Sequence, residues 1–392
     1  MRIVELAAYH ARISLKRSVE HALAVRTESD NLLVSCRLAD GTIGWGEGVP
    51  RDYVTGETIA GAFEQLAATE LAGQLGADCH SFADAVSMCS QFEPARTGDA
   101  ARGCYGNSLR CAIELSALDA YGRHFDVALW HVPSLVPEAR RLCQPASRVQ
   151  YSGAITGGSP WRERRRALFF RLAGFRQCKV KVGLNGNDRA RLARVRRILG
   201  RRVDLRVDAN AAWPPEQAAR RINDLAEFGI TSVEQPVAHA YVRKLAEVRR
   251  QTAVPLMLDE SLCSMPDARR ALDEGTCDLF NIRLSKCGGM IPSLRLAALA
   301  HENGLGFQLG CQVGETGILS AAGRHFATSV APIRYREGSF DRWLVRERLT
   351  VRDLTFGYGG WAPAIAGPGL GIEIDEGAVR RVTVRQEHWD LG

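Results

Sequence analysis

Five charged residues recur along the second half of the chain at intervals that match one strand–helix unit. Each stands at or just after a short apolar run, and successive members are 27, 26, 25 and 27 residues apart. In a sheet of parallel strands joined by helices, the carboxyl ends of the strands meet at one edge. The spacing therefore predicts that five side chains converge on one site: Lys181, Asp208, Glu234, Asp259 and Lys286.

The three acids of this set would repel one another unless positive charge lies between them. They are hard oxygen ligands, with no histidine or cysteine among them, and this chemistry suits Mg²⁺, with Mn²⁺ tolerated. Such a site leaves coordination positions for water and for substrate oxygens. We therefore predict a metal site formed by Asp208, Glu234 and Asp259, with Mg²⁺ (or Mn²⁺) as the cofactor.

The lysines predict proton transfer beside that metal. Lys179 and Lys181 are two residues apart on a predicted strand, so both point to one face, and each should depress the pKa of the other. One of them is then a suitable base near neutral pH, and Lys286 arrives from the other side of the ring. A small-molecule carboxylate held between them would present its α-carbon to both, and the metal would stabilise the enediolate that forms when the α-proton leaves.

The elements that must position these residues are predicted by eight apolar runs, which alternate with Arg- and Ala-rich helical stretches. This alternation predicts an α/β fold of the (β/α)₈ TIM-barrel type. A doubly wound open sheet is the alternative, but the sequence after the first run lacks Gly-x-Gly-x-x-Gly. The runs are 149–155, 177–182, 203–207, 231–233, 256–258, 279–282, 305–309 and 333–335.

The rest of the chain flanks this predicted barrel, which we place at 126–349. Residues 1–125 predict an α+β module, with strands in the first 48 residues, a hairpin turn at Asp40-Gly41, and helices at 56–75 and 107–121. The tail at 350–392 is rich in Gly and Pro and predicts a loop followed by a returning strand.

Composition excludes several classes of function. The net charge of +7 is mostly arginine in helix-like stretches, but no aromatic residues interleave as a nucleic-acid stacking platform requires. No apolar stretch is long enough to span a membrane, and the N-terminus does not resemble a signal peptide. The eleven cysteines lack a metal or disulfide framework, which is typical of reduced thiols in a cytoplasmic protein.

Five short motifs in this sequence are similar to those of a known enzyme family. Together they resemble the muconate lactonizing enzyme subgroup of the enolase superfamily, and the resemblance covers nearly the whole chain. The His-Asp pair of the mandelate racemase subgroup is missing after the seventh run, which favours the two-lysine subgroup. The motifs are Lys179-x-Lys181, Asp208-x-Asn210, Glu234-Gln235-Pro236, Asp259-Glu260-Ser261 and Lys286 shortly before Gly288-Gly289.

The resemblance implies a role for each part. It implies that Asp208, Glu234 and Asp259 bind the metal, that Lys181 and Lys286 are the acid–base pair, and that Lys179 tunes Lys181. The N-terminal module and the tail would form a capping domain that closes over the barrel with loops at 14–28 and 49–57. Those loops would select the substrate.

The substrate is less defined by the sequence. Arg26 and the segment 54–58 are similar to dipeptide epimerases, but those enzymes carry Asp-x-Asp at the eighth strand. Here that region is 336–343, with Asp341 and Glu337 as the available acids. An N-acyl amino acid or a non-peptide acid therefore fits about as well as a dipeptide. The residues expected to contact substrate are Arg26, Tyr53, Thr156, Glu315 and Asp341.

Two classes of reaction remain open on these residues. The first is an isomerase that racemises or epimerises the carbon beside a carboxylate. The second is a cycloisomerase or a dehydratase similar to o-succinylbenzoate synthase, in which Lys181 is the base and Lys286 only stabilises charge. A third possibility is a protein of the same fold that has no enzyme activity and binds nucleic acid through its arginines. The presence of all five spaced residues disfavours it. We expect a homo-oligomer without nucleic-acid or membrane partners.

Overall fold

A computed structural model describes residues 1–21, 24–97, 102, 104–183 and 187–392. Its main parts are an antiparallel sheet near the N-terminus and a larger parallel sheet. The strands are β1 (Ile3–His21), β2 (Ala24–Leu38), β3 (Ile43–Gly48), β4 (Arg148–Gln150), β5 (Gly153–Ile155), β6 (Gln177–Lys181), β7 (Asp204–Asp208), β8 (Ile230–Glu234), β9 (Leu256–Leu258), β10 (Leu279–Ile282), β11 (Gly306–Leu309), β12 (Trp361–Pro363) and β13 (Thr383–Asp390).

Helices precede the parallel sheet and alternate with its strands. They are α1 (Ile59–Ala68), α2 (Leu71–Leu75), α3 (Phe82–Gln91), α4 (Asn107–His124), α5 (Val132–Leu135), α6 (Pro160–Leu172), α7 (Asp188–Leu199), α8 (Pro215–Ala226), α9 (Leu245–Arg250), α10 (Met265–Glu274), α11 (Met290–Glu302), α12 (Gly317–Ser329), α13 (Asp341–Leu344) and α14 (Glu376–Val382). In the part of the chain that the structure describes, no helix is both long and apolar enough to cross a membrane.

The parallel sheet has seven strands, in the order β11-β10-β9-β8-β7-β6-β5. The eighth predicted run does not form a strand, although Arg334 N in it donates to Phe307 O of β11 at 2.9 Å. Directly after the run, Ser152 N donates to Arg336 O at 2.8 Å. The segment is short because Pro332 has no N–H to donate and Gly338 turns the chain with a φ of +140°. The secondary structure is thus a seven-stranded half-barrel sheet.

The first predicted run, 149–155, is divided between two sheets. β4 pairs with β12 from the tail, whereas β5 joins the parallel sheet beside β6. The division falls at Tyr151, whose N–H bonds to Gly360 O instead of to a barrel strand. The tail therefore makes two strand pairings: β12 pairs with β4, and β13 pairs with β1 of the N-terminal module.

The antiparallel sheet has the order β13-β1-β2-β3, so the tail does return as a strand, as predicted. The turn at Asp40-Gly41 is also confirmed, with Thr42 N bonded to Asp40 Oδ1 at 2.9 Å. Helix α4 packs closely on β3, since a Cβ at Gly46 would lie 1.9 Å from the carbonyl oxygen of Ala112. Glycine in β3 is therefore required for the contact between helix and sheet.

Two local predictions for the N-terminal module were wrong in detail. The helix predicted at 56–75 is two helices, α1 and α2, which are separated at Thr69 and Glu70. The loop predicted at 14–28 consists largely of the ends of β1 and β2, which form a long hairpin with a register irregularity between Ser14 and Val19; residues 22 and 23 lie outside the described residues. This hairpin contacts the segment after α13, because Arg346 N donates to Ser14 O at 2.9 Å.

Candidate active site

The five spaced residues do converge at the carboxyl edge of the parallel sheet. Lys181, Asp208 and Glu234 are the last residues of β6, β7 and β8, and the strand register pairs Lys181 with Asp208 and Asp208 with Glu234. Asp259 directly follows β9, and Lys286 lies four residues beyond β10. All five side chains are buried. The strand order places the three acids between the two lysines.

Lys179, on the same face of β6 as Lys181, neutralises part of this acidic group. Its Nζ lies 3.2 Å from Asp208 Oδ2, 3.3 Å from both oxygens of Glu234, and 2.9 Å from Glu337 Oε2. Burial opposes the charged form, but the three carboxylates raise the pKa of Lys179 well above its usual value. The expectation that each lysine of the pair lowers the pKa of the other therefore fails for Lys179.

Lys181 behaves as the sequence predicted. Burial lowers the pKa of Lys181, and although Asp208 opposes that shift, the charge of Lys179 adds to it. The backbone of Lys181 is held in place, because the guanidinium of the buried Arg191 donates to the Lys181 carbonyl and to Glu163. Lys181 is therefore a positioned amine whose neutral form is more accessible than that of an ordinary lysine.

Lys286 is held in its charged form on the opposite side. Its Nζ donates to Asp259 Oδ1 at 2.9 Å and to the carbonyl oxygens of Asp259 and Asn281 at 2.6 and 2.9 Å. Burial would lower the pKa of Lys286, but Asp259 more than offsets this and raises it. The two flanking lysines thus have pKa values that are shifted in opposite directions, as an acid and a base of one site require.

Arg283 is a further cation of the site that the sequence reasoning missed. Its guanidinium bonds to Asp259 Oδ2 and lies 3.7 Å from Glu234 Oε1. Burial raises the pKa of Asp259, but Arg283 and Lys286 outweigh burial and lower it. A usable signal was present: Arg283 directly follows β10, the strand-end position that the acids occupy on neighbouring strands.

Gln235, from the Glu-Gln-Pro motif, positions the loop that carries Asp259. Its Oε1 accepts from Asp259 N at 3.0 Å and Ser261 N at 3.1 Å, and its Nε2 donates to Ser261 Oγ at 2.8 Å. The side chain is buried and its backbone φ is +36°. This role could not be read from the sequence, because it depends on contact between adjacent barrel loops.

The three acids fit a hard divalent cation by their chemistry. Burial, and then the neighbouring charge of Asp208, raise the pKa of Glu234, so a further positive charge at this position would favour its ionised form. Lys179 lies between Asp208 and Glu234, and Arg283 lies between Glu234 and Asp259. Within the described ranges, three other potential metal ligands have donor atoms within 4.8 Å of one another: Cys104, Cys263 and Asp267.

Arg26 and Tyr53, the two residues of the N-terminal module that are expected to contact substrate, lie close to each other. Arg26 Nη2 donates to Asp52 Oδ1 at 3.1 Å, and its guanidinium lies 5.1 Å from the centre of the Tyr53 ring. The neighbouring Arg51 is buried and donates to Ser29 Oγ and to Val313 O, both at 2.6 Å. Arg51 thereby connects the segment 49–57 to the loop after β11.

The other three residues expected to contact substrate differ in their hydrogen bonds and in their burial. Thr156 accepts two hydrogen bonds from Arg166, at 2.6 Å to its carbonyl and 2.9 Å to its hydroxyl. Glu315 lines a small cavity with Glu337, and burial raises its pKa to about 8. Asp341 is buried at the start of α13, and among the described residues neither of its carboxylate oxygens has a hydrogen-bond partner.

Comparison with known proteins agrees with this geometry. The family model described as "Enolase C-terminal domain-like" matches residues 163–378. A muconate cycloisomerase of Acinetobacter lwoffii is 32% identical over 93% of this chain and 92% of its own length. The N-succinyl-L-Arg/Lys racemase of Bacillus cereus is 28% identical over 99% of both chains, and its crystal structure superposes with a TM-score of 0.85 over 99% of this chain and 100% of that chain.

A third curated relative and a further solved structure are dipeptide epimerases from one organism. The hydrophobic dipeptide epimerase of Enterococcus faecalis is 29% identical over 84% of this chain and 88% of its own length. A structure of the dipeptide epimerase from that organism, complexed with Mg and the dipeptide L-Leu-L-Tyr, is 26% identical and gives a TM-score of 0.80 over 95% of this chain and 100% of that one. With a family model that matches more than half of its length, and with isomerases as its relatives, the chain belongs to the enolase superfamily and is an isomerase of that superfamily.

Proposed function

We propose that the protein is a metal-dependent racemase or epimerase that moves a proton on the carbon beside a carboxylate. The observation that carries this proposal is the strand order, in which Lys181 and Lys286 flank three buried carboxylates. Asp208, Glu234 and Asp259 would hold Mg²⁺, or Mn²⁺ in its place. When bound, the ion would supply positive charge to the oxygens of the substrate carboxylate.

The residues of the chain perform the proton transfer. In one direction neutral Lys181 removes the α-proton, and the charged Lys286 returns a proton to the other face; in the reverse direction the roles exchange. The opposite pKa shifts of the two lysines support this assignment. Lys179 keeps Asp208 and Glu234 in place and lowers the pKa of Lys181.

The domain division belongs to the same proposal. We assign 1–125 to a capping domain, 126–349 to the barrel and 350–392 to a tail that returns to the cap. The segment 333–337 would serve as the eighth strand of a closed (β/α)₈ barrel, and its backbone hydrogen bonds to both β11 and Ser152 support that role.

For the substrate, we propose an N-acyl amino acid or an N-blocked dipeptide in preference to a dipeptide with a free ammonium group. Glu337 is already paired with Lys179 and with Arg206. Burial, and then repulsion from Asp353, raise the pKa of Asp341 above its ordinary value. The named substrate of the Bacillus cereus relative is N-succinylated, which agrees with this preference.

The arrangement around Arg26 predicts a specificity effect. Arg26→Ala should raise KM for an anionic or N-succinylated substrate by roughly 10–100-fold, because a charge-assisted hydrogen bond contributes about 1.5–3 kcal/mol. The value of kcat should change far less. Steady-state kinetics of Arg26→Ala, compared with Arg37→Ala on the same sheet, measure this. Equal KM values for the two variants would remove Arg26 from the binding site.

Asp341 predicts a stability effect with a defined sign. Because burial raises the pKa of Asp341 in the folded state, the wild type loses stability as the pH rises above the ordinary value of 3.8. Asp341→Asn should therefore raise Tm at pH 7 by roughly 2–4 °C, with a gain that fades near pH 3.8, whereas the exposed Asp273→Asn should change little. If Asp341 binds a substrate ammonium instead, the variant should lose activity on free dipeptides while N-acyl substrates are unaffected.

A second candidate reaction is cycloisomerisation, which the 32% identity to a muconate cycloisomerase favours. The same site would serve, with Lys181 as the base and Lys286 stabilising charge. A panel of muconate, dipeptides and N-acyl amino acids, incubated in D₂O and measured by mass, separates the two reactions. Racemisation introduces α-deuterium into the recovered substrate, whereas cycloisomerisation converts substrate without α-exchange.

We also propose a homo-oligomer in the cytoplasm that acts without nucleic-acid or membrane partners. Four large apolar side chains on α6 are exposed, Trp161, Leu168, Phe169 and Leu172, and a self-association surface would cover them. All eleven cysteines are free thiols, which supports a reducing compartment.

A further inference from the structure

Two cysteines face each other where the N-terminal module meets the barrel. Cys104 lies shortly before α4, and Cys263 lies in the loop after β9, four residues beyond Asp259. Their sulfur atoms and a carboxylate oxygen of Asp267 all lie within 4.8 Å of one another. Both thiols are buried. They are 159 residues apart in the chain, so any bond between them would join two distant segments.

The surroundings of this pair are electropositive. Arg102 Nη2 lies 3.6 Å from Cys263 Sγ and donates to Glu260 O at 2.7 Å. A hydrogen bond from Cys104 lowers the pKa of Cys263 although burial opposes it, and the charges of Lys286 and Arg102 lower it further. The same hydrogen bond raises the pKa of Cys104. Cys263 is thus the better nucleophile, and Cys104 is the thiol that keeps its proton.

The same surroundings disfavour a cation at this triplet. Arg270 Nη2 lies 2.6 Å from one oxygen of Asp267, and Arg102 Nη2 lies 3.9 Å from the other. A divalent ion bound by the triplet would lie beside two guanidinium groups, which already place positive charge next to the Asp267 carboxylate and the Cys263 sulfur. Oxidation of the pair is therefore the chemistry that the surroundings favour.

We propose that Cys104 and Cys263 form a reversible disulfide that ties the segment before α4 to the barrel loop carrying Asp259. With hydrogen peroxide as the oxidant, the Cys263 thiolate attacks one peroxide oxygen, the O–O bond breaks, and a sulfenic acid forms as hydroxide leaves. The Cys104 sulfur then attacks the Cys263 sulfur, water leaves and the S–S bond forms. Two thiols lose two electrons and two protons, and one peroxide becomes two waters.

The cross-link would act on the catalytic loop that the segment already contacts. Asn107 Nδ2 donates to Cys263 O at 2.8 Å and to Lys286 O at 2.7 Å. Cys263 also donates from its sulfur to Glu260 O at 3.5 Å, a hydrogen bond that oxidation removes. Oxidation should therefore slow turnover, because it replaces this hydrogen bond with a covalent link in the loop that Asn107 connects to Lys286.

The test uses the full-length, metal-loaded protein treated with hydrogen peroxide and then digested without reductant. We expect a disulfide-linked peptide pair containing Cys104 and Cys263, a rise in Tm of roughly 5 °C or more because the closed loop is long, and a loss of activity. Dithiothreitol should reverse all three changes. Cys104→Ser and Cys104→Ala should abolish them, and the matched control Cys143→Ser should not.

Other outcomes would overturn the proposal. The proposal is wrong if peroxide oxidises other cysteines but leaves Cys104 and Cys263 as thiols. It is also wrong if the rise in Tm persists in the Cys104 variants. Zn²⁺ alone is the second probe, added to the reduced protein before peroxide. Stoichiometric protection of both thiols that Asp267→Asn removes would assign a metal site in place of the disulfide. These readouts are separate from the identity of the substrate, so failure here leaves the proposed racemase activity intact.

Discussion

Glu234→Gln is expected to abolish metal-dependent activity while leaving the protein folded. Glu234 is the central acid of the three, paired in register with Asp208 on one side and adjacent to β9 on the other. Replacing its carboxylate with an amide removes one negative charge from the proposed metal site and a charged partner of Lys179 and Arg283. Because burial already raises the pKa of Glu234, the neutral glutamine should be tolerated structurally.

Three measurements check this expectation: Mg²⁺ binding by calorimetry, turnover, and thermal unfolding. We expect metal affinity and turnover to fall together, by roughly 10-fold or more in affinity, with Tm within a few degrees of the wild type. The exposed Glu247→Gln is the matched control, since it makes the same chemical change on α9. Full activity of Glu234→Gln, or of the wild type after exhaustive chelation, would contradict the metal assignment.

The second large effect is expected at the two flanking lysines. Lys181→Ala and Lys286→Ala should each reduce racemisation in both directions by roughly 10²–10⁴-fold, the usual cost of losing a general acid or base. Removal of either one stops the complete cycle, because every turnover needs one lysine to take the proton and the other to return it. Polarimetry or chiral chromatography of both enantiomers measures the rates.

A control for these variants is Lys244→Ala, which removes an exposed lysine near the start of α9. Since Lys286 donates three hydrogen bonds to buried acceptors, Lys286→Met, which retains much of the side-chain volume, separates loss of chemistry from loss of packing. A variant at either lysine that kept wild-type racemisation in both directions would exclude that residue from the acid–base pair.

The sequence was sufficient to predict which residues meet at the site. The reason is geometric: residues at the ends of successive parallel strands share one edge, so the periodic positions of Lys181, Asp208, Glu234, Asp259 and Lys286 determine their convergence. The alternation of apolar runs likewise predicted most of the parallel sheet, and the Asp40-Gly41 dipeptide predicted the hairpin turn.

The remaining features depend on contacts between segments that no local pattern encodes. Glu337 is paired with Lys179 and Arg206 because the segment after α12 bonds to the end of β11 and brings Glu337 beside β6 and β7. Gln235 fixes the backbone of Asp259 from a neighbouring loop. The predicted cap loop at 14–28 is largely a hairpin because β1 and β2 continue to pair beyond the irregularity near Ser14. Such pairings follow from tertiary packing and required the structure.

The central claim is that two lysines act on opposite faces of one α-carbon, and its most direct test is deuterium exchange from D₂O into single enantiomers. The wild type should incorporate α-deuterium into both enantiomers of its substrate. Lys181→Ala should lose incorporation into one enantiomer only, and Lys286→Ala into the other only. A wild type that converts substrate without α-exchange, or two variants that lose exchange of the same enantiomer, would contradict the two-base account.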